Sequence, residues 1–174
     1  MYYEVEFVTP SFLGGAEQNA QLRTPHFKAA LRWWWRVLFG WQYGKKIYEA
    51  ESELFGSTDS ASKVRIEVIG KLSAQSSNSF GGEKVYVKTI KNKYGNIQDI
   101  RINVIEYLSY GRYNNKSSTY DSHFAANSRF TLNVHMPKDK EQEIILCLKA
   151  LFTFGGVGSR SRNGFGSLRL TNNA

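Results

Sequence analysis

The hydrophobic period of this chain switches at Pro137, and that switch constrains the fold more than any other feature. Before it, Phe130, Leu132, Val134 and Met136 alternate with polar residues, which predicts a strand over 129–136 with one buried face. After it, Pro137-Lys138-Asp139 opens a stretch where Ile144, Ile145, Leu148, Leu151 and Phe152 recur at helical spacing, which predicts a helix over 139–153. The same succession occurs near the N-terminus. Tyr3, Val5 and Phe7 alternate with Glu4 and Glu6 over 3–8, Pro10 and Gly14-Gly15 break the pattern, and Thr24-Pro25 starts a helix, with Thr24 as its cap, that runs to Phe39 and stops at Gly40.

Between these two pairs the chain reads as a second helical piece over 45–54 ending at Gly56, then a strand over 63–72 carried by Val64, Ile66, Val68 and Leu72. A small, polar stretch, 73–82, follows. Val85, Val87 and Ile90 suggest another strand, with a turn at Tyr94-Gly95-Asn96; residues 100–108 fit strand or short helix, and 109–122 read as loop. A short strand, 167–171, ends the pattern. The order strand, helix, strands, strand, helix, strand predicts an α+β, ferredoxin-like (RRM-related) βαββαβ fold with an inserted region, as a single domain over 1–174.

Charge bears on partners rather than on fold. The formal net charge is +8, which points first to nucleic acid and next to anionic membrane. No apolar run approaches the roughly 20 residues that cross a bilayer, and the N-terminus reads as a strand rather than a signal peptide. The lone cysteine, Cys147, falls in a predicted apolar helix, where it reads as a small buried hydrophobe and fits a reducing cytoplasm.

Two segments concentrate the positive charge. No acid lies between Gln18 and Tyr48, while Arg23, Lys28, Arg32, Arg36, Lys45 and Lys46 do. Lys28, Arg32 and Arg36 stack on one helix face at i, i+4 and i+8, where like charges repel unless an anion sits against them. A phosphate backbone would relieve them; a solvated basic face is the alternative. On another face Phe27, Leu31, Trp34 and Leu38 have the spacing of a core stripe, so the tryptophans read as core more readily than as base-stacking groups. The second segment is Phe154-Gly-Gly-Val-Gly-Ser-Arg-Ser-Arg-Asn-Gly-Phe-Gly166. Its glycines let backbone N–H groups approach a ligand as anion-binding nests, and Arg160 and Arg162 add charge beside Gly158 and Ser159. It is no nucleotide-binding P-loop: G-x-x-x-x-G-K-[ST] is absent, and the loop follows a helix and precedes a strand. An exposed structural turn is the plainer alternative.

Arg23-Thr-Pro-His-Phe-Lys-Ala-Ala-Leu-Arg-Trp-Trp-Trp-Arg36 resembles the arginine-tryptophan helix of an N-terminal-type RAMP domain, as in the first RAMP subunit of the type III-B CRISPR Cmr complex. Thr9-Pro10 with Phe12-Leu13-Gly14-Gly15, Glu53-Leu-Phe-Gly-Ser57, Tyr107-Leu-Ser-Tyr-Gly111 and the glycine-rich loop follow in the same order. The family's pattern carries lysine then glycine after Phe27; Lys28 keeps the first, Ala29 replaces the second, and His26 stands where the family has a small residue. The resemblance implies a non-catalytic RNA-binding subunit that contacts guide RNA, target RNA or both and assembles with other RAMP subunits in antiviral defence. Arg23, Lys28, Arg32, Arg36, Gly158, Ser159, Arg160 and Arg162 are then the expected RNA contacts. A metal-independent guide-processing ribonuclease and a mainly protein-binding scaffold are the alternatives. His26, at a helix start, is the best-placed general base, and Asp121 the one loop aspartate worth testing. No metal or cofactor is expected: Cys pairs and H-E-x-x-H are absent, and Glu49, Glu51 and Glu53 read as a solvated face.

Overall fold

The structure is a computed structural model, and it describes residues 1–14, 19–114 and 116–171. In chain order the elements are β1 (Tyr2–Phe7), α1 (Thr24–Phe39), α2 (Ile47–Phe55), β2 (Arg65–Ile69), β3 (Lys84–Lys91), β4 (Ile97–Asn103), α3 (Val104–Leu108), β5 (Tyr113–Asn114), β6 (Thr119–Tyr120), β7 (Arg129–His135), α4 (Glu141–Phe154) and β8 (Leu168–Leu170). They form two compact units: Met1–Gln75 together with Ser122–Ala174, and Ser76–Asp121.

The first unit holds a four-stranded sheet in the order β2-β7-β1-β8. Every neighbouring pair is antiparallel, with Tyr3 opposite Leu132, Phe7 opposite Leu168 and Ile66 opposite Val134. The alternation read from the sequence survives as a buried face made of Val5, Phe7, Ile66, Phe130, Leu132 and Val134. α1 and α4 supply Phe27, Leu31, Trp35, Ile144, Cys147, Leu148 and Leu151 to the same core. Phe130 joins the layers, with its ring 5.0 Å from Phe7 and 5.3 Å from Phe27. Each such side chain contributes about 1.5–3 kcal/mol by leaving water. Burial also pushes the Cys147 thiol up to about 12, so it is inert.

Three local expectations are corrected. The fully buried tryptophan of α1 is Trp35, while Trp34 and Leu38 flank the core half-buried. Trp35 can sit inside because its indole N–H donates to Glu143 at 3.0 Å. Thr24 does not cap α1: Arg23 holds the cap position without a side-chain bond, and the Thr24 hydroxyl donates to the Ile66 carbonyl at 3.1 Å. Glu51 is no solvated residue; it is buried on the inner side of α2 with Leu54 and Phe55.

In the second unit β3 and β4 pair as a hairpin with a bulge between Tyr86 and Lys88. Residues 100–108 prove to be both things the periodicity allowed, strand to Asn103 and helix from Val104. The switch is local chemistry: the Asn103 side chain accepts from the N–H groups of Ile105 and Glu106. The stretch 109–122 holds a short β5–β6 pair, and Tyr120 is buried with its ring 4.2 Å from Phe80.

Candidate nucleic-acid interface

Antiparallel pairing of β1 with β8 brings the end of the first strand and the start of the last to one end of the sheet. The segment after β1 and the glycine-rich loop before β8 therefore run together, and they interlock. The Ser159 N–H donates to the Phe12 carbonyl at 2.9 Å, the Gly166 N–H to Pro10 at 2.8 Å, and the Ser11 hydroxyl to Val157 at 3.1 Å. Thr9 ties the far side, donating to Gly164 at 2.6 Å and accepting from the Ser167 N–H at 3.0 Å. Buried Val157 and Phe165 anchor the two ends of the loop.

The glycines serve this close packing. Gly158 has φ +97°, and a Cβ there would lie 2.6 Å from the Phe12 carbonyl oxygen; a Cβ on Gly166 would overlap the Val157 carbonyl. The expected anion nest is correspondingly reduced, because the N–H groups of Val157, Ser159, Phe165 and Gly166 are spent on the protein's own carbonyls. What projects is the tip. Arg160 holds φ +61°, a left-handed conformation uncommon outside glycine, and opens a single turn over Ser161–Asn163. Arg160 and Arg162 are exposed and form no ion pair among the described residues.

The link to α1 runs through the same segment. Gly14 bridges to Ala20, and His26 is hydrogen-bonded to the Gly14 backbone; Gly15, its partner in the sequence pattern, lies outside the described residues. Burial, and then the charge of Arg23, hold the His26 imidazole below its ordinary value, with the Gly14 bond partly offsetting them. Burial and then Arg32 do the same to the Lys28 ammonium. Arg23 is exposed, and neither it nor Lys28 forms an ion pair among the described residues. The first turns of α1 thus share one end of the sheet with the loop tip.

The rest of the basic stripe is committed elsewhere. Arg32 Nε lies 2.6 Å from one oxygen of Glu51 and Arg36 Nε 3.2 Å from the other, and the Glu51 side chain is only 5% exposed. The protein thus supplies one carboxylate to the two guanidiniums, which offsets part of their charge. Arg36, 13 residues past Arg23 on a rise of about 1.5 Å per residue, lies about 20 Å along the helix from that end. The start of α1 meets the loop through Gly14 and Phe12, with Gly158 and Ser159 packed on that segment and Arg160 and Arg162 beyond them; Lys28 lies near Arg32, which with Arg36 sits beside α2. A signal for Glu51 was present: Ile47, Glu51, Leu54 and Phe55 form one stripe, in which a carboxylate needs a cationic partner.

Groups that could carry catalysis are dispersed. Asp121 pairs with Arg112 at 3.3 Å, His135 lies on the outer sheet face by Asn133 and Glu67, and His123 is buried against Phe12. Among the described residues no group of three His, Cys, Asp or Glu side chains is placed to hold a metal ion. Among them, too, no helix is long and apolar enough to cross a membrane.

Residues 4–169 match the RAMP superfamily. The chain is similar to the CRISPR system Cmr subunit Cmr1-1 of Pyrococcus furiosus, with 30% identity over 97% of this chain and 46% of that protein. It is also similar to Cmr1-2 of the same organism, with 25% identity over 97% of this chain and 93% of that one. Among solved structures, the apo crystal structure of Cmr1 from Pyrococcus furiosus superposes with a TM-score of 0.60 and 25% identity, covering 99% of this chain and 49% of that one. The chain therefore spans about half the length of the first of these relatives and of the solved one.

Proposed function

Because the chain belongs to the RAMP superfamily, we propose that it is a non-catalytic, RNA-binding subunit of an RNA-guided type III-B CRISPR (Cmr) effector complex in the cytoplasm. Its partners are the guide RNA, alone or together with the target RNA, and other RAMP subunits. The similarity to two Cmr subunits supports the choice of complex. We read the chain as one RAMP domain over 1–174, ferredoxin-like in its β2-β7-β1-β8 order, with residues 76–121 as the inserted region.

One observation carries the RNA reading. Arg160 and Arg162 stand exposed and unpaired among the described residues, on a loop tip whose base is clamped to the segment leading into α1. Guanidinium groups held this way meet phosphate oxygens as bidentate donors without first breaking internal bonds. Arg23 and Lys28 extend the cation set; Arg32 and Arg36 do not, since Glu51 holds them.

The test is a salt titration of guide RNA binding, by the chain and by its assembled complex. Arg160→Ala and Arg162→Ala should each weaken binding and lower the slope of log affinity against log salt by roughly one unit per lost phosphate contact. Slopes unchanged in both variants, with the complex intact, would remove the reading. A defined RNA cut that persists in EDTA and disappears in His26→Ala would replace it with the ribonuclease.

A further inference from the structure

α1 has two apolar faces, and only one faces the core. Phe27, Leu31 and Trp35 point inward, while Trp33 and Val37 on the other side of α1, and Trp41 in the single turn after it, are exposed, Trp41 by 75%. A groove of about 350 Å³ lies between the last turn of α1 and the second half of α4, lined by Leu38, Phe39, Leu146, Ala150 and Phe154, with Lys149 and Thr153. Phe154 at its edge is 79% exposed. Leu38, Phe39 and Ala150 also pack toward the core, but Leu146 and Phe154 are exposed large apolar side chains beyond it, and folding gives no reason for them to flank a groove.

The charge of the groove identifies what fits. Lys149 is the only ionisable side chain in its lining, and it forms no ion pair among the described residues. The α1 wall brings no acid, since none occurs between Gln18 and Tyr48. The acids of α4 sit at its other end, where Glu143 is taken by Lys140 at 2.6 Å and by Trp35. A second copy would set Lys149 against a chain of net charge +8. RNA would find a single cation among aliphatic walls, whereas backbone binding needs several.

We infer that this groove docks an amphipathic helix from a partner protein, with its apolar side against Leu38, Phe39, Leu146 and Phe154 and a carboxylate paired to Lys149. From Leu146 to Phe154 the α4 wall rises about 12 Å, which matches anchors at i, i+3, i+4 and i+7 of an incoming helix. The inference is independent of RNA binding at the other site: loss of one leaves the other standing.

The probes are two labelled 18-residue helical peptides with the same leucine and phenylalanine stripe, one flanked by glutamates and the other by lysines. Anisotropy titrations against the full chain should show saturable binding of the glutamate peptide, about tenfold tighter than the lysine peptide, a difference of one charge pair. Lys149→Glu should reverse that preference, and Leu146→Asp should abolish binding of both while the thermal melt stays cooperative. Equal affinities, no binding of either peptide, or a preference untouched by Lys149→Glu would overturn the inference. So would displacement of the bound peptide by a short single-stranded RNA, which would make the groove part of a nucleic-acid surface.

Discussion

Glu51 decides how the basic helix must be read. A carboxylate whose side chain is 5% exposed needs its charge matched where it sits, and Arg32 and Arg36 match it from one turn apart. The two contacts are unequal. Arg32 is the shorter, hydrogen-bonded partner at 2.6 Å and is the less exposed of the two, while Arg36 reaches only an ion contact at 3.2 Å. Arg32→Ala should therefore destabilise the chain by about 1–3 kcal/mol, because a buried acceptor loses its donor. Arg36→Ala should cost less than about 1 kcal/mol, since its own charge is largely screened by water. Urea melts of the two variants check the order, and an equal loss in both would show that Glu51 does not distinguish them. Neither variant should alter the salt slope of RNA binding, which separates them from Arg160→Ala. The i, i+4, i+8 spacing was legible from the sequence, but its anion was not. Glu51 lies on the next helix, and only the fold shows which side of α2 turns inward.

At the scale of elements, legibility followed length. β7 and α4 each carry enough periodic positions to fix both period and face, and both appear within two residues of where the pattern puts them. In residues 100–108 Ile100, Ile102, Val104 and Ile105 satisfy period 2 and period 3.6 alike, so periodicity leaves strand and helix level. Asn103 breaks the tie, accepting from Ile105 N–H at 2.9 Å and Glu106 N–H at 3.2 Å and donating to the Gly81 carbonyl at 3.0 Å. A five-residue helix has little cooperative stability of its own, so most of α3 rests on this cap. Asn103→Ala should cost about 1 kcal/mol and appear as faster amide exchange over 104–109. Asn103→Asp keeps the acceptor and should retain most of the protection. Faster exchange in β7 as well would mean that the cap holds more than its own unit. The glycine-rich loop taught the opposite lesson: its glycines were visible at once, but their reason was not. Gly158 and Gly166 are set by carbonyls of Phe12 and Val157, contacts that exist only after β1 and β8 have paired.

At the scale of the molecule, the first unit closes on itself where the second leaves the chain. Gln75 and His123 face each other as an antiparallel bridge, with the Gln75 N–H donating to His123 at 2.9 Å and the return bond at 3.0 Å. Backbones paired in this way stand about 5 Å apart, a gap that a three-residue hairpin loop, here two new residues and Ser122, spans. The whole of Ser76–Asp121 is therefore inserted between positions that a hairpin could join, and β1, β2, β7 and β8 find their partners without it. Replacing 76–121 by Asn-Gly should leave a chain that unfolds in one cooperative urea transition. Shortening the connection also lowers the entropy of closing it, although that gain grows only logarithmically with loop length. The truncated chain keeps Arg23, Lys28, Arg160 and Arg162 with the contacts that position them. Its RNA affinity should then fall only by what residues of the removed unit contribute to binding, and the effects of Arg160→Ala and Arg162→Ala on the salt slope should persist. A folded truncation in which those two substitutions no longer matter would place the phosphate contacts outside the loop tip, and with them the nucleic-acid interface.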